Sequence, residues 1–350
     1  MPIKILSLDG GGSKGIFHLY FLRELENALQ RCTRDSFDYI GGTSVGGIIA
    51  LTVTHPIAWM GWQNNYTVAD MLRKKVDEKL LSVIFGPPRH FLKLPRIGIF
   101  GPKYCDRINH MQDFYDNEFF GKSLLFGGDN IKPTMVFSYS LVDHEVRVFK
   151  SWRPVNQDTP LSTIARATSA APVFFPAVSH NGDILIDGGV AANDPSYLIG
   201  YEARKNSGNL AAPLIIVSLG TSYGSRTDYG SCHSAGGIFW ATKFVNLMME
   251  SQQRIMSYLQ GHDGRTCLPC CEGGLETNCH EILQVNETVN VFADYHYWNN
   301  VHYFRFTPIT GAGLDSIDPK ILKELEDQAL GFFNGSSKIV QKMTKLMQQN

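Results

Sequence analysis

This chain predicts an α/β fold, a three-layer sandwich with a largely parallel central sheet flanked by helices. Three observations carry that reading: two strand–turn–helix units open the chain, their turns are built of glycine, and short apolar runs of strand length recur as far as residue 219. Strands that feed helices in this order run parallel, with helices covering both faces, and reactive groups then gather at the strands' carboxyl ends.

The first unit is Ile3 to Leu8 as strand, Gly10 to Gly15 as loop and Ile16 to Leu29 as helix, where Phe17, Phe21, Leu22, Leu25 and Leu29 recur at helical spacing. In the second, Phe37 to Ile40 is the strand and a helix begins at Val45. No Asp, Glu, Lys or Arg occurs from Tyr39 to Ala69, but glycines, Pro56 and Gln63-Asn64-Asn65 interrupt the run of about twenty apolar residues that a membrane span requires. A buried helix followed by a loop is expected instead. Residues 55–130 read as a lid-like elaboration, helical near Met71 to Leu81 and then a loop rich in Pro, Gly and aromatics from Phe85 to Tyr104.

The core resumes with strands at Thr134 to Ser140 and Val146 to Phe149, a helix at Leu161 to Ser169, and strands at Asp183 to Ile186 and Leu214 to Leu219, all separated by turn residues. A catalytic core over 1–225 is thus expected to carry a helical and irregular elaboration over 226–350, packed against it. That elaboration holds an apolar helix near Phe239 to Tyr258, a cysteine cluster, an aromatic-rich stretch from Tyr295 to Phe306 and two terminal helical segments. In the last of these, Ile339, Val340, Met343, Leu346 and Met347 share a helical face, with Lys338, Lys342 and Lys345 on the rest. Packing back on the core is expected ahead of docking to an anionic lipid surface.

A net charge of −1 over 350 residues, with an ordinary apolar fraction, argues against disorder and against binding a nucleic acid polymer over a broad surface. The N-terminus goes straight into a strand without a signal-peptide pattern, and the seven cysteines are an odd number; both favour reduced thiols and a cytoplasmic setting. Cys267 and Cys270 form a C-x-x-C pair, with Cys271, Cys279 and His280 nearby as further zinc ligands. The interval from Cys270 to Cys279 is short for a standard finger, so a reduced, loop-borne cluster is expected ahead of a structural zinc or a redox pair.

Three segments carry chemistry. Gly42-Thr43-Ser44-Val45-Gly46 fits a strand-to-helix elbow, in which flanking glycines permit the tight turn that lifts a serine hydroxyl clear of the sheet. Ile184-Leu185-Ile186 would deliver Asp187 to a strand end, followed by Gly188-Gly189. Asp9-Gly10-Gly11-Gly12-Ser13-Lys14-Gly15 leaves successive backbone N–H groups unscreened at a helix start, where an oxyanion or a phosphate can sit. The phosphate reading gives a sugar-kinase-like ATPase, with Gly220-Thr221-Ser222 as a second phosphate loop. The oxyanion reading gives an acyl hydrolase. A Ser-His-Asp arrangement would need one of His144, His180 or His233, none of which lies in a recognisable motif.

Taken in order, these segments resemble the patatin-like phospholipase family over about residues 3–222, together with Ala167-Thr168-Ser169-Ala170-Ala171-Pro172 running on to Phe175-Pro176, Asn193 and Pro195, and Ser218-Leu219-Gly220-Thr221. The resemblance implies a serine lipid acyl hydrolase with Ser44 as nucleophile, Asp187 as base and the amides of Gly10, Gly11 and Gly12 as oxyanion hole, with no catalytic histidine, metal or other cofactor. Lys14 stands where many members carry arginine; the positive charge for an anion contact survives, the bidentate fork does not. The implied partner is a phospholipid or another acyl lipid, met at a membrane surface to which the protein binds peripherally. A small regulatory ligand and a homo-oligomer stay open, as does a membrane-degrading effector gated by a signal nucleotide.

Overall fold

In the computed structural model the central strands are parallel and the outer ones antiparallel, and the boundary between the two regimes is where the site lies. The structure describes residues 1–62, 65–85, 111–125, 131–156, 158–172, 174–221, 247–249, 251–252, 255–256, 289–291, 301–310, 313, 316–334 and 337–349. The strands are β1 (Ile3–Leu8), β2 (Tyr39–Thr43), β3 (Thr134–Ser140), β4 (Val146–Lys150), β5 (Val178–His180), β6 (Asp183–Asp187), β7 (Leu214–Leu219), β8 (Val289–Val291) and β9 (Val301–Phe306). Their order is β5-β6-β3-β2-β1-β7-β9-β8, with β4 also on β3. β3, β2, β1, β7 and β9 run parallel, while β4, β5, β6 and β8 are antiparallel to their neighbours. The sheet is therefore mixed, with a parallel centre. Asp183 to Asp187 enters it reversed relative to the centre.

The longer helices are α1 (Ile16–Leu29), α2 (Val45–Thr54), α3 (Val68–Arg73), α4 (Val76–Phe85), α5 (Leu161–Thr168), α6 (Ser196–Ser207), α7 (Pro319–Phe333) and α8 (Lys338–Gln348). Alternation along β1, β2, β3, β7 and β9 divides their side chains between two cores. On one face Leu6, Leu8, Ile40, Val136, Ile215, Val217, Phe304 and Phe306 pack against α1, α2, α5, α7 and α8. On the other, Ile5, Tyr39, Met135, Phe137, Ile216 and Tyr303 meet Ile199 and Ala203 of α6. The result is three layers.

Local chemistry sets most helix ends. α1 stops at Gln30 in the left-handed conformation, whose N–H returns to the Glu26 carbonyl. Thr67 and Asp70 form a reciprocal capping box at the start of α3. Asp318 caps α7, with Pro319 at the first helical position. The helix expected near Met71 to Leu81 is divided into α3 and α4, with Lys75 between them at a φ of 56°.

Parts of the elaboration at residues 55–130 enter the main core: Trp59 packs edge-on against Phe114 and Phe119. α8 buries Val340, Met343 and Met347 against the same core. Ile339 and Leu346 of the same face are partly buried against it, so the helix packs back on the core as expected. No described helix is long and apolar enough to cross a membrane.

Candidate active site

β3 explains why two residues 143 positions apart touch. One edge of β3 is taken by β4 across Met135 to Tyr139. The other edge is shared: β2 runs alongside until Thr43 reaches Phe137, and β6 takes over with Asp187 opposite Ser138. Because β2 and β6 run in opposite directions, their carboxyl ends meet head to head at adjacent positions of one template strand. Ser44 and Asp187 are the residues at that junction.

The elbow is held in a backbone conformation that few side chains adopt, Ser44 having φ 55° and ψ −126°. Gly42 and Gly46 make it possible, since a Cβ on Gly42 would lie 2.4 Å from the Gly46 carbonyl and one on Gly46 would lie 2.3 Å from the Leu8 carbonyl oxygen. The turn and the end of β1 are thus in backbone contact. The Ser44 N–H donates to Thr168 Oγ1 at 2.8 Å, and that hydroxyl donates to the Phe137 carbonyl at 2.6 Å. Thr168, from the block preceding Phe175-Pro176, ties the elbow to α5 and β3 together.

Ser44 Oγ donates to Asp187 Oδ2 at 2.7 Å, and the Gly189 N–H donates to Asp187 Oδ1 at 2.7 Å. Asp187 is 1% exposed, and burial lifts its carboxyl from the ordinary carboxylate range to about 7, against the opposing pull of the Gly189 and Ser44 donors. Ser44 and Asp187 border a narrow cleft of about 30 Å³, lined also by Gly12, Val45, Ile48, Leu80, Leu81, Phe174, Phe175 and Met249 among others. Apart from Ser44, Asp187 and Ser169, its lining side chains are apolar.

The glycine loop borders the same cleft. Gly12 begins a turn of 3-10 helix that runs directly into α1, so its N–H is among those a helix start leaves without an internal partner. The Gly10 N–H, by contrast, donates to the Asn193 carbonyl at 3.1 Å. Of the three expected amides, that of Gly10 is therefore already engaged within the fold. Lys14 lies in that same short turn and is not among the cleft-lining residues.

Among the described residues no histidine lines the cleft. His144 sits exposed between β3 and β4, and His180 belongs to β5; His233 lies outside the described residues. Cys267, Cys270, Cys271 and Cys279 also lie outside them, and the described residues contain no group of three or more His, Cys, Asp and Glu able to hold a metal.

Reading the sequence missed a buried ionic cluster behind the loop. Arg305 of β9 donates through Nη1 to Asp9 Oδ1 at 3.1 Å and to Ser218 Oγ at 2.6 Å, and lies 3.0 Å from Asp194 Oδ2. Burial alone would lower its pKa, yet Asp194 and Asp9 hold it well above the ordinary guanidinium value. Asp9 and Asp194 leave only one signal in sequence, their position beside the two glycine motifs. Arg305, in an aromatic stretch far along the chain, leaves none.

A family model described as patatin-like phospholipase matches residues 6–197, more than half of the chain, and the chain belongs to that family of lipid acyl hydrolases. Patatin-like protein 4 of Arabidopsis thaliana is 27% identical over 294 residues, covering 73% of this chain and 71% of its own. Patatin-like protein 2 of Oryza sativa subsp. indica is 31% identical over 223 residues, covering 55% and 51%. The chain thus spans about half the length of the rice relative. Among solved structures, VipD from Legionella pneumophila aligns with 99% of this chain and 67% of its own at 14% identity, with a TM-score of 0.37. Family membership sets aside the kinase reading of the glycine loop.

Proposed function

We propose that this protein hydrolyses the acyl esters of phospholipids or related lipids at a membrane surface, through a Ser44 nucleophile and an Asp187 base. The observation that carries the proposal is the 2.7 Å Ser44–Asp187 hydrogen bond beside a largely apolar cleft. An aspartate at its ordinary pKa is too weak a base to deprotonate serine usefully, and efficiency is greatest when the base titrates near the working pH. Burial brings Asp187 into that range. The carboxylate needs no histidine between itself and the hydroxyl, because the two strand ends already place them in contact.

In the acylation step Ser44 Oγ attacks the ester carbonyl carbon while its proton passes to Asp187. The negative charge that forms on the carbonyl oxygen is met by the N–H groups of Gly11 and Gly12. As the intermediate collapses, the ester C–O bond breaks and Asp187 returns the proton to the departing alcohol oxygen, releasing a lysolipid. Water then attacks the acyl-serine, giving its proton to Asp187; the free fatty acid leaves and Ser44 regains its hydrogen. Val45, Ile48, Leu80, Leu81 and Phe174 line the space where the acyl chain would lie, and burying each methylene there contributes about 0.8 kcal/mol to binding.

The test is a panel of phospholipids and neutral acyl lipids in vesicles, incubated with the wild type and with Ser44→Ala and read by mass spectrometry. Released fatty acid and lysolipid from the wild type alone are expected. Equal release by the Ser44→Ala variant would remove Ser44 from the reaction.

A further inference from the structure

We infer that Thr221 is a positioning residue for the oxyanion site: its hydroxyl fixes the peptide plane that aims the Gly11 N–H. Thr221 follows β7, is 1% exposed and donates through Oγ1 to the Gly10 carbonyl at 2.6 Å. In a trans peptide the carbonyl of one residue and the N–H of the next point in opposite directions across one rigid plane. Holding the Gly10 carbonyl towards Thr221 therefore directs the Gly11 N–H to the side away from Thr221. The preceding plane is pinned as well, by the Gly10 N–H on the Asn193 carbonyl.

Two further features make the hydroxyl the deciding group. A Cβ on Gly11, whose φ is 159°, would lie 1.9 Å from Thr221 Oγ1, so the loop is pressed directly against this side chain. Thr221 is itself anchored, because the Gly220 N–H before it donates to the Phe306 carbonyl at 2.8 Å and the Asp9 N–H donates to the Leu219 carbonyl at 3.0 Å. A residue outside the cleft lining thus sets the direction of the amide proposed to receive the oxyanion. This inference rests on the oxyanion role proposed above for Gly11 and Gly12.

Thr221→Val keeps the shape and removes the donor, and Thr221→Ser keeps the donor and removes the methyl. With a phospholipid in mixed micelles, Thr221→Val is expected to lower kcat by about tenfold or more, up to the roughly 10²–10³-fold that outright loss of an oxyanion donor produces. KM should stay within about twofold, since the ground-state ester makes little use of that donor. Thr221→Ser is expected to retain most of the wild-type kcat. Binding of an alkyl trifluoromethyl ketone, which forms the tetrahedral adduct, should weaken in Thr221→Val alone, while a non-hydrolysable ether phospholipid binds all three proteins alike. If Thr221→Val does not fold, Thr221→Ala against Thr221→Ser makes the same comparison. A wild-type kcat in Thr221→Val, or equal losses in the Ser and Val variants, would overturn the inference while leaving the Ser44 reading intact. A wild type without Ser44-dependent release would overturn both.

Discussion

Asp187 carries opposite consequences for activity and for stability. The proposed mechanism needs its carboxylate, so kcat/KM should climb with pH through an apparent pKa of about 7 and level off above it. Folding disfavours that carboxylate. Between about pH 4 and pH 7 the native state holds a proton on Asp187 that the unfolded chain has released, so this group's contribution to stability declines as pH rises across the window. Asp187→Asn is therefore expected to lower hydrolysis by at least about 10²-fold. At pH 8 it should raise stability, by roughly 4 kcal/mol as an upper bound, and at pH 4 leave it little changed. Thermal melts of both proteins at the two pH values check the sign; a variant less stable than wild type at pH 8 would contradict it. The sequence named both members of this pair but not the pKa, because burial depends on what the fold packs around the carboxyl.

At the scale of elements, the active geometry is a junction of backbones, and glycine marks the places where they touch. Gly46 is in the first turn of α2 and its Cα faces the Leu8 and Asp9 carbonyls at the end of β1. Gly46→Ala would drive a methyl into those two oxygens, neither of which is a flexible side-chain end. Destabilisation of about 1–3 kcal/mol, typical of overpacking, and a fall in kcat are both expected. Chemical denaturation and initial rates would measure them, and a neutral outcome would mean that the elbow and β1 are not in contact. The elbow itself was legible because glycine on both sides of a serine has a local meaning. Less legible were α6, whose deeply buried apolar positions reduce to Ile199 and Ala203, and β9, where His302 and Arg305 interrupt the apolar alternation.

The whole molecule enters through Arg305, which lies beyond the residues that the family model matches. From β9 it joins Asp9 of the glycine loop, Asp194 after the Asp187 turn, and Ser218 on β7, so three separate parts of the site share one cation. Arg305→Leu would leave two buried carboxylates without their counter-charge, and breaking a buried ion pair from one side costs about 3–5 kcal/mol. Loss of the cooperative unfolding transition, or a fall of that size in denaturant stability, is expected. A variant as stable as wild type would show that the buried charges are balanced elsewhere. β9, paired along the length of β7, in this way belongs to the same sheet as the candidate site.

What the sequence by itself determined were features whose signal is local: helical spacing from Ile16 to Leu29, the glycine-flanked serine, the Asp-Gly-Gly turn and the strand-to-helix glycine loop. Each is set by the sterics of a few neighbouring residues, and together they sufficed to suggest the family and its nucleophile. Tertiary structure decided what depends on distant partners. β6 enters the sheet reversed, so that its end meets the end of β2 along β3; the Gly10 amide is engaged by Asn193, and Thr221 and Arg305 close on the loop from β7 and β9. Strand direction, a buried carboxyl's proton affinity and the aim of an amide are properties of the packed sheet, because each is fixed by groups that the chain brings together only on folding.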